Sequence, residues 1–93
     1  MKIETPKRIA DFFNRNHIKP NKPYAWGDGE TLYCGFNDDD FIAISVAENH
    51  IVVYFDDYER LKKKFKPIVE AEFGKTYETS MCGYCKLFIK GKL

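Results

Sequence analysis

The stretch from Phe41 to Asp57, FIAISVAENHIVVYFDD, decides how the chain folds. Phe41 to Val46 and Ile51 to Phe55 are two short apolar runs rich in β-branched and aromatic residues, the types that suit a pleated, half-buried surface. Ala47-Glu48-Asn49-His50 between them is polar and turn-tolerant. The two runs therefore read as a β-hairpin.

Outward from the hairpin toward the N-terminus, Asn37-Asp38-Asp39-Asp40 is a turn and Thr31 to Phe36 a strand. In that strand Leu32, Cys34 and Phe36 fall on one face and Thr31 and Tyr33 on the other. Gly27-Asp28-Gly29-Glu30 is a further turn, and Tyr24-Ala25-Trp26 a short strand before it. Thr5-Pro6 marks a helix start, a hydroxyl cap followed by proline in the first turn. Ile9, Phe12 and Phe13 recur at helical spacing, so the helix is expected over Pro6 to Asn16. Pro20 and Pro23 follow it as a stiff connector.

Outward toward the C-terminus, Asp57 is the expected cap of a second helix. Tyr58, Leu61, Phe65, Ile68 and Val69 supply its apolar stripe, with Lys62, Lys63, Lys64 and Lys66 facing away. Pro67 should kink or break it, because proline removes a backbone hydrogen bond and clashes one turn back, at a cost of about 3 kcal/mol. Gly74 is a C-terminal stop. Thr76 to Lys92 reads as one long strand or two short ones, Cys85, Leu87 and Ile89 alternating with Lys86 and Lys90, and Phe88 on the lysine face. The expected fold is one α+β domain: an antiparallel meander of about five strands, in the order α-β-β-β-β-α-β, with one sheet face against the helices. Tyr33, Tyr54 and Phe88 are expected to make the other face sticky.

Composition narrows the function. Of 93 residues 44% are hydrophobic and 16% aromatic, enough for a real core. Fifteen basic against 14 acidic residues leave a net charge of +1, which argues against generic nucleic-acid binding. No apolar run reaches the ~20 residues of a membrane helix, and the N-terminus lacks a secretory pattern. A cytoplasmic protein with three thiols, an odd number, is expected.

Four groups of residues are candidates for chemistry. Cys82-Gly83-Tyr84-Cys85 has the spacing of a dithiol, but no helix follows to lower a thiol pKa, so redox catalysis is set aside. The same cysteines with Cys34 and His50 would make a Cys₃His zinc set; the competing reading is thiols packed in strands. Asp38, Asp39, Asp40, Asp56 and Asp57 should meet at one end of the hairpin, where they would offer oxygen ligands to iron or another cation. Turn formation and helix capping account for the same residues. Lys63 on the second helix and Tyr84, Lys86, Phe88 and Lys90 in the tail form a lysine-aromatic surface for a macromolecular partner, or a solvated edge. No catalytic residue set is visible: there is no phosphate loop, and neither Ser45 nor Ser80 has a partner that would make it a nucleophile.

One family likeness is present. The pattern of an N-terminal helix, Trp26, AISVAENHIVVYF (43–55), a lysine-rich helix and GKTYETSMCGYCKLFIKG (74–91) resembles the small bacterial frataxin-like proteins described as iron chaperones. The likeness spans Trp26 to Lys90. It implies an α+β sandwich and iron handling, with the acidic corner as the place to look. From the residues themselves the expected function is a small non-enzymatic binding or accessory protein that meets a protein partner, with nucleic acid second and membranes excluded. No cofactor is expected; the alternative is a metal protein holding zinc or iron.

Overall fold

A computed structural model describes residues 5–27, 29–47 and 50–89, with the side chains of Thr5 and Trp26 left aside. Among these residues two helices and seven strands follow in the order α1 (Thr5–Arg15), β1 (Lys19–Pro20), β2 (Tyr24–Trp26), β3 (Glu30–Asn37), β4 (Asp40–Val46), β5 (Ile51–Asp56), α2 (Glu59–Phe73), β6 (Thr76–Met81) and β7 (Tyr84–Ile89). The α+β class and the meander stand as expected. The strand total is larger because a short β1 pairs beside β2 and the tail folds into two strands.

All pairings are antiparallel and the sheet runs β1-β3-β4-β5-β7-β6. β1 and β2 share the outer side of β3, Lys19 opposite Phe36 and Tyr24 opposite Leu32. The last hairpin is not appended in chain order. β7 pairs with β5, and β6 lies outside β7. β5 and β6 therefore run parallel with β7 between them, a split β-α-β arrangement.

Both helices cover one sheet face. Ile42 and Ile44 of β4, Ile51, Val53 and Phe55 of β5, and Cys85, Leu87 and Ile89 of β7 meet Ile9, Phe12 and Phe13 of α1 and Leu61, Phe65 and Val69 of α2. The period of two along each strand and of three to four along each helix produces this layer. Arg8 donates to the Glu72 carboxylate at 2.8 Å and to its carbonyl at 2.7 Å, and Arg15 donates to the same carboxylate, so the two helices are tied side by side.

α1 ends by a device its sequence does not advertise. His17 sits at φ 58°. The Ile18 amide donates to the Phe13 carbonyl at 2.8 Å and the His17 amide to Asn14 at 3.3 Å. This is a Schellman motif with histidine where glycine is usual. It turns Ile18 back into the core.

Three local expectations are corrected. Asp57 does not cap α2: the cap position is Tyr58, in an extended conformation and with no side-chain cap bond. The Asp57 amide instead donates to Gly83 at 3.0 Å, fastening the β6–β7 turn to the end of β5. Pro67 does not break α2, which runs unbroken from Glu59 to Phe73. Its ring and Lys63, one turn back, are both solvent-exposed, so the freed carbonyl is on the wet side. Tyr33 is not on the outer face; it packs against the helix-side core.

Candidate functional site

The second sheet face carries no described element above it. Strand register assembles its side chains into rows. Tyr24, Leu32, Ser45, Val52, Phe88 and Tyr77 form one row from β2 to β6. Cys34, Ala43, Tyr54, Lys86 and Thr79 form the next. Phe36 faces Phe41 on one side of the third, with rings 5.5 Å apart, and Tyr84 faces Met81 on the other.

The centre of this face is small and closed, with Ala43, Ser45 and Val52 all buried. Its flanks are large and open. Tyr24, Phe36, Tyr77, Met81, Tyr84 and Phe88 are exposed by between 37% and 58%. Taking about 200 Å² for a whole side chain of this size, they leave roughly 550 Å² of mostly aromatic surface in water. Among the described residues one other large hydrophobic side chain, Tyr58, is exposed, and it lies at the start of α2. The charge on the face is sparse. The Lys86 ammonium lies 5.4 Å from the centre of the Tyr54 ring. Burial, with help from Glu30, pushes the Tyr54 phenol upward, so its ring stays neutral beneath the cation.

The residues expected to meet a partner divide accordingly. Tyr84, Lys86 and Phe88 alternate along β7 and all fall on the open face. Lys63 is exposed on α2, in the layer on the opposite side of the sheet. Lys90 lies outside the described residues. Sequence reasoning missed Tyr24, Phe36, Tyr77 and Met81 as members of this surface. The alternation of Tyr77, Thr79 and Met81 was readable; their alignment with β7 was not, because it depends on the turn at Cys82-Gly83.

The zinc set is not gathered. Cys34 is buried on the open-face side and Cys85 on the helix side, while Cys82 is exposed in the turn. His50 lies beyond the opposite end of β5, its Nε2 3.9 Å from Glu30. Burial raises the thiol pKa of Cys34, and burial followed by the nearby Glu78 raises that of Cys85, which opposes the thiolate form that metal ligation needs.

The aspartates do converge on one end of the sheet, but α2 answers them with cations. Asp40 accepts two hydrogen bonds from Arg60, each 2.9 Å, and one from Lys64 at 2.6 Å. Arg60 first and Lys64 second hold its carboxyl far below the usual range. Asp57 lies 3.5 Å from Lys62. Asp38, Asp39 and Asp56 are exposed. Among the described residues no three His, Cys, Asp or Glu side chains are grouped to hold a metal.

Compared with protein-family models, curated proteins and solved structures, the chain finds no match. The frataxin-like likeness therefore rests on the quoted sequence pattern alone.

Proposed function

We propose that the chain is a non-enzymatic binding module of the cytoplasm that takes a protein partner on its open sheet face, with Tyr84, Lys86 and Phe88 at the contact. The observation that carries this reading is the gathering of exposed aromatic side chains on one face. Of their exposed surface, the four on the β6–β7 flank, Tyr77, Met81, Tyr84 and Phe88, account for roughly 390 Å², within the span of the largest patch found on ordinary monomers, about 300–600 Å², a size that often marks an interface. Tyrosine and phenylalanine are the types enriched at such contacts. A protein is favoured over nucleic acid because the net charge is +1, and because the cations that register places on the described face, Lys19 and Lys86, lie at its opposite flanks. Phosphate backbones are held by several neutralising side chains. The three cysteines are free thiols, which fits a reducing compartment. No described helix is long and apolar enough to cross a membrane.

The test is comparative capture from cell extract. Wild type, Phe88→Glu and Lys63→Ala are immobilised at equal load after thermal melts show that all three are folded. The expected result is a partner retained by wild type and Lys63→Ala and lost, at least tenfold, with Phe88→Glu. Equal retention by Phe88→Glu would sink the reading. Loss with Lys63→Ala would move the contact to the helix layer.

A further inference from the structure

The two lateral edges of the sheet are finished differently. At one edge β3 is covered by β1 and β2, which are two and three residues long and lie close to Pro20 and Pro23. Short strands and prolines are standard protection against edge-to-edge pairing. At the other edge β6 is six residues long, TYETSM, with neither lysine nor proline, and from Tyr77 onward every residue is exposed.

The direction of its backbone groups follows from the turn. Cys82 and Gly83 take φ of 55° and 84° between the paired residues Met81 and Tyr84. A two-residue turn with both φ positive is the primed type that closes on a hydrogen-bonded pair. Met81, Thr79 and Tyr77 thus direct their amides and carbonyls toward β7, and Ser80, Glu78 and Thr76 direct theirs outward. The Thr76 amide bears this out by donating to the Glu70 carboxylate at 3.2 Å, which closes that end of the edge. Glu78 and Ser80 are left as the outward-facing hydrogen-bonding row.

We propose that two copies of the chain pair β6 against β6, antiparallel about a two-fold axis at Thr79, and so join their sheets into one. Paired residues share a sheet face, so a two-fold axis must pass through a residue rather than between two. An axis at Glu78 would oppose two carboxylates. An axis at Thr79 sets Glu78 against the second copy's Ser80, and each such pair exchanges two backbone hydrogen bonds. Thr79 then meets its own mate, and Tyr77 meets the second copy's Met81. Threonine pairs and sulfur–aromatic contacts are both favourable. The charge on Glu78 does not oppose the approach, because Lys62 and Lys66 hold it at 3.1 and 3.2 Å on the helix side. A single strand pair buries less than the ~1,200 Å² of a stable complex, so the dimer belongs to the transient class, with a dissociation constant of roughly 10–500 µM. This inference stands on the edge of the sheet and does not depend on a partner at the open face.

The test is sedimentation of the full chain over a hundredfold concentration range reaching about 0.5 mM. The expected mass climbs from monomer toward dimer. Thr79→Lys, which sets two ammonium groups against each other at the axis of an exposed strand, should weaken association at least tenfold, while the melt falls by a few degrees at most because the new lysine also faces Lys86 across β7. Register is read by cross-linking in a Cys82→Ser background with oxidised glutathione as oxidant. At a non-hydrogen-bonded pair the Cα atoms are ~4.5 Å apart, within disulfide reach. Thr79→Cys should therefore form a linked dimer, and Met81→Cys, on the same face but displaced four residues from its mate and opposite Tyr84 in its own chain, should not. A monomer at every concentration, a dimer that survives Thr79→Lys, or equal cross-linking by Met81→Cys overturns the proposal. Phe88→Glu should leave this dimer intact, so its failure and that of the open-face reading are separable.

Discussion

At the scale of single residues, Gly35 shows why one side chain can govern the docking of a segment. It lies on the helix side of β3, opposite Pro20. A Cβ there would stand 2.6 Å from Ile18 Cγ2 and 2.9 Å from the Lys19 carbonyl oxygen. The side chain can shift, but the carbonyl belongs to a paired backbone and cannot easily do so. Gly35→Ala is expected to destabilise the chain by about 1–3 kcal/mol through forced backbone displacement, lowering the melting temperature by about 4–8 °C per kcal/mol. A melt like that of wild type would mean that β1 is not seated as described. Gly29 and Gly83, with nothing near an added Cβ, owe their identity to positive φ instead. His17 carries the same backbone demand without glycine's freedom, and keeps its place because Ile18 behind it is buried.

At the scale of elements, the tie between β4 and α2 is electrostatic as well as apolar. Leu61, Phe65 and Val69 anchor the helix. Arg60 and Lys64, on the next turns of its flank, converge on Asp40. Because the folded state holds the Asp40 carboxyl below its unfolded value, the stability it adds is fully present above the ordinary carboxylate range. It is lost as pH falls through that range toward the folded value. Asp40→Asn is expected to cost about 1 kcal/mol at neutral pH, the upper range for ion pairs that water reaches. It should also flatten the decline in stability between about pH 5 and pH 3 seen in urea melts. Glu78, lowered by Lys62 and then Lys66, leaves a residual slope. A variant whose acid profile runs parallel to wild type would remove Asp40 from this role.

At the scale of the whole molecule, the sheet has one buried face and one open face, and its cysteines report on both. Cys34 lies near the centre of the open face beneath larger neighbours, Cys85 lies under α2, and Cys82 is exposed in the last turn. Burial raises the pKa of the first two thiols, which keeps them protonated and slow toward alkylation. A thiol reagent at neutral pH is expected to modify Cys82 alone in the native chain and all three cysteines in denaturant. The two slow thiols should react together, because exposing either requires the sheet to open. Rapid modification of Cys34 with Cys85 still protected would show that the open face loosens independently of the helix layer.

The sequence by itself determined most of the elements and the inner faces of the central hairpin, the helices and β7. Period-two and period-3.6 apolar patterns are local properties of the chain, and they marked the central hairpin, both helices and the alternation of Cys85, Leu87 and Ile89 with Lys86 and Phe88. The convergence of Asp40 with Asp57 also followed, since hairpin geometry brings those ends together. What only the tertiary structure decided was which elements lie side by side. β7 sits between β5 and β6, so Tyr77 and Met81 join Tyr84 and Phe88 on one surface although a helix separates all four from the central hairpin. Arg60 and Lys64 meet Asp40 across about 20 residues, and Cys34 and Cys85 end on opposite faces. Such outcomes depend on strand order and register. These are set by long-range burial and by backbone conformations at single positions, the positive φ of Cys82 and the missing Cβ of Gly35, that leave no periodic trace in the chain.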